Sequence, residues 1–457
     1  MRSQGARSVS RRAGRSQEPP AAPALGAREK IARAVVHRVL SRLRGGRLDL
    51  VETWSGERHA FGPSAAALQA RVAVHSPRAY LDLARRRSVG MGEAYAAGLW
   101  STEDLLEVAR IGARDVGRLD GPRRRVAPLA RPFQWLGSLP VLNTRGGARR
   151  NIAAHYDLGN QLFELFLDRE AMMYSSAVFE HAGQTLEEAQ IARLDRICDR
   201  LALGPEDHLL EIGTGWGGLA VHAATTRGCR VTTTTISREQ RSYAEGRVGA
   251  AGVDHLVTVL GADYRDLAGR YDKLVSIEMI EAVGWQYFDR FFERCSELLE
   301  PDGLLFLQAI TVDDRAYEAE KGTRSLATEL IFPGGCLPSL EVIQRTLARR
   351  TDMRTLWLDD ISPSYALTLR HWRERFAAAR ERLEELGYDE PFRRLWTLWL
   401  AISEAGFREA RIRDLQLVIA KPRWLGEVPG GERIATRGRD ARRAVATPPE
   451  DGVAARG

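Results

Sequence analysis

The chain has 457 residues, 44% hydrophobic and 28% charged, which suits two or three domains and excludes wholesale disorder. Its four cysteines stand far apart with no CxxC pair, which argues against a zinc knuckle, a redox dithiol or a disulfide scaffold and fits a reducing compartment. The net charge of +7 is unevenly placed: residues 1–47 carry +10, residues 110–150 carry +8 and the remainder −11. Two basic segments therefore flank an acidic body, a pattern that suits an anionic membrane face or a nucleic acid, or simply solvated arms.

In chain order, residues 1–28 mix Arg, Ser, Gln, Pro and Ala without periodicity and read as a disordered basic arm. Arg11-Arg12 precedes no apolar stretch, and no run approaches the roughly 20 residues of a membrane helix, so neither export nor a bilayer span is expected. Residues 29–112 read as a small α+β domain. It opens on a basic amphipathic helix near 29–44 that can rest on lipid or on the protein. Strand-like RLDLVETW and ERHAFG follow, then helices SPRAYLDLARRR and TEDLLEVARIGA. Residues 113–150, rich in Gly, Pro and Arg, read as a basic linker, and residues 423–457 as a flexible tail.

Between them, 151–422 alternates strand-like and helix-like runs: HLLEIG, CRVTTTTI, LVTVLGAD, KLVSIEM and GLLFLQAIT, with MRTLWLDDI and DLQLVIAKP closing the set. That alternation predicts an α/β fold with a doubly wound, mostly parallel sheet. The first strand runs into EIGTGWGG (211–218), whose glycines at 213, 215 and 218 permit a tight turn and close approach to a ligand. The motif fits GxGxxG, but the second strand ends Thr233-Thr234-Thr235-Ile236-Ser237 without the carboxylate that a dinucleotide ribose needs. A different nucleoside ligand is therefore favoured. HExxH and GxSxG are both absent, so no metal site and no serine nucleophile is implied.

NIAAHYDLGNQLFELFLD (151–168), MMYSSAVFE (172–180), EIGTGWGG, TISREQ (235–240), ADYRDL (262–267), IEMIEAVG (277–284), IFPGGCLPS (331–339) and DLQLV together resemble the cyclopropane-fatty-acyl-phospholipid synthases. The likeness is strong over 151–422 and weaker over 70–110. It implies a class I methyltransferase fold with a Rossmann-like seven-stranded sheet. It also implies transfer of carbon from S-adenosylmethionine to the cis double bond of unsaturated phospholipid acyl chains, giving a cyclopropane or an exocyclic methylene. Tyr174 and Ser175 would reach the methionine end, Gly213 and Gly215 pass beneath it, Thr235, Ile236 and Gln240 hold the ribose side, and Tyr264 and Arg265 border the adenine. Gln240 reads equally well as an exposed helix residue.

A bound bicarbonate is the implied base, held by Glu281, the backbone of Ile310 and Tyr365. Ser176 stands where many members have cysteine, Gln308 where many have histidine, and Glu278 where many have glycine. The Ser176 hydroxyl and Gln308 amide remain able to hydrogen-bond a small anion. Glu278, three residues before Glu281, reads as sharing a helical face with it and as a solvated helix start. An inner-face, peripheral-membrane location in the cytoplasm follows from the resemblance and the basic arms; a homodimer is left open. The alternatives are a nucleic-acid methyltransferase, disfavoured because IEMIEAVG lacks the polar-Pro-Pro-aromatic motif, and a non-catalytic lipid-binding homologue.

Overall fold

The computed structural model describes residues 25–119 and 158–426. The arm before residue 25, most of the linker, the opening of the NIAAHYD motif and most of the tail lie outside the described residues. In the N-terminal part, α1 (Ala27–Leu40) packs Ala32 and Val36 against a four-stranded sheet of order β2-β1-β3-β4, formed by β1 (Arg47–Glu52), β2 (Arg58–Phe61), β3 (Gln69–Val74) and β4 (Trp100–Ser101). The alternating burial of β1 and β3 puts Leu48, Leu50, Val72 and Val74 in one core with α2 (Arg78–Arg86) and α3 (Ser88–Ala96). Arg33 fastens α1 to that sheet through Glu52 (Nε to Oε1, 2.6 Å), which also accepts from Tyr80 Oη at 2.7 Å. One face of α1 thus rests on the protein, while Ile31 and Val35 stay exposed beside Lys30 and Arg38. The helix predicted to stop near residue 112 continues: α4 spans Leu105–Leu119. The first seven residues of the expected linker, 113–119, are therefore helical.

The larger part is a seven-stranded sheet of order β10-β11-β9-β8-β5-β6-β7. Its strands are β5 (His208–Ile212), β6 (Arg230–Thr234), β7 (Val257–Leu260), β8 (Tyr271–Ile277), β9 (Leu299–Val312), β10 (Arg354–Asp360) and β11 (Ile412–Ala420). Only β11 runs against its neighbours. After a short α5 (Asn160–Glu164), α6 (Leu186–Arg200) starts at a capping box of Thr185 and Glu188. Next come α7 (Gly218–Arg227), α8 (Arg238–Ala250), capped by Ser237, α9 (Phe288–Leu298), α10 (Asp314–Glu320) and α11 (Leu340–Arg350). The strand order reverses between β5 and β8, which opens a crevice at their carboxyl ends.

Two helices near the end of the chain wall that crevice. α12 (Ser362–Ala378) is followed directly by a short α13 (Arg380–Glu385). The sequence reading did not foresee α14 (Glu390–Arg408), which starts at Asp389, whose side chain accepts from Phe392 N. α14 joins the two parts: Leu398 enters the N-terminal core together with Leu326 and Ile331, and Arg394 donates to the carbonyls of Tyr95 (2.6 Å) and Trp100 (2.9 Å). Leu398→Ala is expected to lower stability by about 2–5 kcal/mol, the cost of a buried cavity, read from the urea midpoint of the full chain.

Candidate active site

The turns after β5 and β8 face each other across the crevice and form the floor of a cavity of about 350 Å³. Gly213 has φ +109°, and a Cβ there would stand 3.3 Å from Met279 Cγ in the opposite turn, so only glycine suits this position. Glu211, just before it, accepts from Thr233 Oγ1 at 2.6 Å, and burial pushes its carboxyl up to about 8.

Every residue assigned to the cofactor lines this cavity. Tyr174 and Ser175 come from the strip before α6, Gly213 and Gly215 from the first turn, Thr235, Ile236 and Gln240 from the end of β6 and the start of α8, and Tyr264 and Arg265 from the turn after β7. Gln240 is buried, not exposed, and accepts from Thr235 Oγ1 at 3.0 Å. Asp263, which the sequence reading passed over, lies on the same wall and pairs with Arg265 (2.6 Å). The Tyr264 hydroxyl is buried without a hydrogen-bond partner among the described residues, a polar atom suited to a nucleoside ligand.

The catalytic assignments divide. Glu281, Ile310 and Tyr365 line the cavity; Ser176 and Gln308 are fully buried behind it. The Ser176 hydroxyl turns to Ala177 O (2.9 Å), so it does not serve as an anion ligand; its backbone N–H does, toward Glu278 Oε1 at 2.9 Å. Gln308 donates from Nε2 to Glu278 Oε1 (2.8 Å) and to Asp414 Oδ2 (2.9 Å), while its Oε1 accepts from Gln416 (3.0 Å) across the β9–β11 register. Tyr365 Oη donates to Glu278 Oε2 at 2.6 Å.

Glu278 is therefore no solvated helix start. It is a half-buried glutamate on the cavity wall, its carboxylate held by three donors from three separate segments. Nor does it share a helical face with Glu281: its φ of +47° puts it in left-handed backbone before the turn Ile280–Ala282, at a cost of about 1–2 kcal/mol. The donors expected to cradle a bicarbonate are thus engaged within the protein, Tyr365, Gln308 and Ile310 N by carboxylates and the Ser176 hydroxyl by a backbone carbonyl, and the residues do not fit the bound anion that the resemblance implied.

Beneath Glu278, Arg193 is fully buried on α6, its Nε donating to Gln190 Oε1 (3.1 Å), and its positive charge offsets the carboxylates around it. Burial and the neighbouring Glu278 charge push Asp414 well above the usual carboxylate range. Glu281 accepts from Ile310 N at 2.5 Å, its Oε2 has no hydrogen-bond partner among the described residues, and burial followed by the charge on Glu278 raises it to about 8.

The rest of the cavity is apolar. Trp372, stacked 5.2 Å from Tyr174, joins Leu369 of α12, Trp399, Leu400 and Phe407 of α14, and Phe332 from the segment that abuts the N-terminal core. A nucleoside-sized polar end therefore opens into a greasy end within one space. A separate groove of about 700 Å³ on the outer face of α6, lined by Glu180, Glu188, Asp195 and Arg196, shares none of these residues.

The sequence pattern of the family described as "Mycolic acid cyclopropane synthetase" matches residues 144–417, more than half of the chain. The chain belongs to this family. Tuberculostearic acid methyltransferase UfaA1 of Mycobacterium tuberculosis is 41% identical over 361 residues, 76% of this chain and 82% of its own. Cyclopropane-fatty-acyl-phospholipid synthase of Escherichia coli is 33% identical over 382 residues, 80% and 90% of the two chains. The solved cyclopropane synthase MmaA2 of Mycobacterium tuberculosis, 30% identical, superposes with a TM-score of 0.56 over 60% of this chain and 98% of its own, as does mycolic acid cyclopropane synthase CmaA1 solved with SAH and CTAB. As a family member the chain is a class I, S-adenosylmethionine-dependent C-methyltransferase of lipid acyl chains.

The raised carboxyl of Glu281 carries a stability signature. The folded state keeps the Glu281 proton up to about pH 8, whereas the unfolded chain releases it near 4.5, so stability falls as pH rises across that window and is flat above it. Glu281→Gln removes this contribution. Urea midpoints are expected to show the variant gaining on the wild type between pH 5 and 8, by on the order of a few kcal/mol at the upper end.

Proposed function

We propose that this enzyme adds the S-methyl carbon of S-adenosylmethionine to the cis double bond of an unsaturated phospholipid acyl chain, giving a cyclopropane or an exocyclic methylene product. The observation that carries the reading is the single cavity in which the glycine turn of β5 and the aromatic wall of α12 and α14 meet.

When bound, S-adenosylmethionine supplies an electrophilic methyl group. Among the residues lining the cavity, Tyr174 and Ser175 would hold its methionine end, Gly213 and Gly215 would leave it room, Thr235, Ile236 and Gln240 would take the ribose side, and Tyr264 and Arg265 would border the base. Trp372, Trp399, Leu400 and Phe407 hold the alkene in place and keep water from the carbocation that forms on it. An alkene has no proton to lose before attack, so no base is needed for that step; one is needed afterwards, to take a proton from the added carbon. The half-buried carboxylates Glu278 and Glu281 stand at that wall.

The enzyme reaches its lipid from the cytoplasmic face as a peripheral protein. The +10 balance of residues 1–47 and the exposed Ile31 and Val35 of α1 support this, as aliphatic side chains among cations suit an anionic bilayer surface. Among the described residues no helix is long and apolar enough to cross a membrane.

Purified enzyme given labelled S-adenosylmethionine and oleoyl phosphatidylglycerol vesicles is expected to label the extracted fatty acids, and mass spectrometry after hydrogenation separates ring from methylene. Unlabelled lipid with cofactor binding intact would reject the reading. Deleting residues 1–24 leaves α1 and its core contacts in place. Sedimentation is expected to show weaker binding of that variant to anionic vesicles at low salt, while calorimetry shows unchanged cofactor affinity; unaltered vesicle binding contradicts the role of the arm.

A further inference from the structure

We propose that Glu278 is the proton acceptor of the methyl transfer, its carboxylate occupying the place expected for a bound bicarbonate. The assignment rests on the reading above, methyl transfer to an acyl-chain double bond, for the identity of the proton.

Donor accounting carries it. Ser176 N–H and Tyr365 O–H each meet a different oxygen of Glu278, Gln308 gives one amide hydrogen to Glu278 and the other to Asp414, and Ile310 N–H meets Glu281. Of the donors that the resemblance assigned to an inorganic anion, Tyr365 O–H, the Gln308 amide and Ile310 N–H are already bonded to protein carboxylates, and the Ser176 hydroxyl is spent on Ala177 O. A further anion would stand beside Glu278 in a desolvated site, where like charges repel strongly. The backbone agrees: φ at Glu278 is +47°, a conformation glycine adopts without cost, so a glycine here would leave the same donors converging on a carboxylate-sized space. Of the two neighbouring carboxyls the negative charge belongs on Glu278: burial raises both, but at Glu278 three donors and the Arg193 charge oppose the rise, whereas Asp414 receives only the Gln308 hydrogen, its Oδ1 is unpartnered among the described residues, and the Glu278 charge raises it further.

The step balances. The alkene π pair forms a bond to the incoming methyl carbon as the carbon–sulfur bond breaks, leaving a cation on the other former alkene carbon. Glu278 removes a proton from the added carbon, and the freed C–H pair closes the ring. If a hydride has first shifted between the former alkene carbons, the same pair forms the exocyclic double bond. The proton passes from Glu278 to solvent after turnover.

The test compares wild type, Glu278→Gly and Glu278→Gln as full chains. Binding of carbon-13 bicarbonate is followed by NMR in the presence of S-adenosylhomocysteine, and methyl transfer to oleoyl phosphatidylglycerol vesicles is followed in carbon dioxide-depleted buffer with and without bicarbonate. The wild type is expected to bind no bicarbonate and to keep its rate in its absence. Both variants are expected to lose about 100-fold or more in rate, the scale of a general base, and only Glu278→Gly to bind bicarbonate and recover rate when it is added. Wild-type activity that collapses on carbon dioxide depletion, or a Glu278→Gly enzyme undiminished without bicarbonate, overturns the proposal. S-adenosylhomocysteine affinity by calorimetry checks that each variant is folded; if the glycine variant is not, Glu278→Gln and the wild-type bicarbonate arms decide alone. Should the wild type methylate no lipid, the acyl reading fails, and bicarbonate binding by the wild type still judges whether Glu278 fills the anion place.

Discussion

The site depends on one carboxylate set into the cavity wall. An ionised carboxylate taken out of water is costly unless its oxygens are met by donors, and Glu278 meets that demand with an amide from the strip before α6, a side chain of β9 and a phenol of α12. These segments lie about a hundred residues or fewer from Glu278 on either side of it in sequence. Holding one carboxylate therefore fixes the distance between the cofactor wall and the acyl wall. Arg193 supplies the compensating charge from below, and the Gln308–Gln416 contact carries the arrangement into the antiparallel part of the sheet.

The apolar half of the cavity has a different origin. α14 presents Leu398 to the N-terminal core and Trp399, Leu400 and Phe407 to the crevice, so one helix serves both as the joint between the two parts and as a wall of the slot. The segment around Ile331 and Phe332 repeats the device, with Ile331 in the N-terminal core and Phe332 facing the cavity. The N-terminal part thus buttresses the hydrophobic slot without contributing to the polar end. This division suits chemistry that needs a positioned cofactor and a dry cation.

The sheet was legible in the sequence because most of its strands carry a short apolar or β-branched run bounded by turn residues, and that signal is local. The glycine turn was legible for the same reason. α14 carried a readable start in Asp389 followed by Pro391, with Leu395, Leu398, Trp399 and Ile402 at helical spacing, and was overlooked. Glu278 was not legible in that way. A glutamate just after a strand and three before another reads as a helix beginning, and only partners distant in sequence reveal a hub. Ser176 and Gln308 were singled out for hydrogen-bonding power toward an anion. The anion they meet is a protein side chain, and Ser176 meets it through its backbone, which no side-chain reading could supply.

The left-handed backbone at Glu278 follows from the same demand. A strain of about 1–2 kcal/mol is small beside three hydrogen bonds to a charged group, each worth about 1.5–3 kcal/mol, so the conformation is kept wherever it aims the carboxylate at its donors. In a right-handed conformation the Cα–Cβ bond would leave the backbone in another direction. Ser176 N–H, Tyr365 O–H and a Gln308 amide hydrogen would then face an apolar cavity unmet, at a cost exceeding the strain relieved. The strained residue and the polar network therefore enforce each other. The result is a rigid acceptor at the boundary between the nucleoside end and the greasy end, where a proton must be collected after carbon transfer and where mobile water would instead quench the cation.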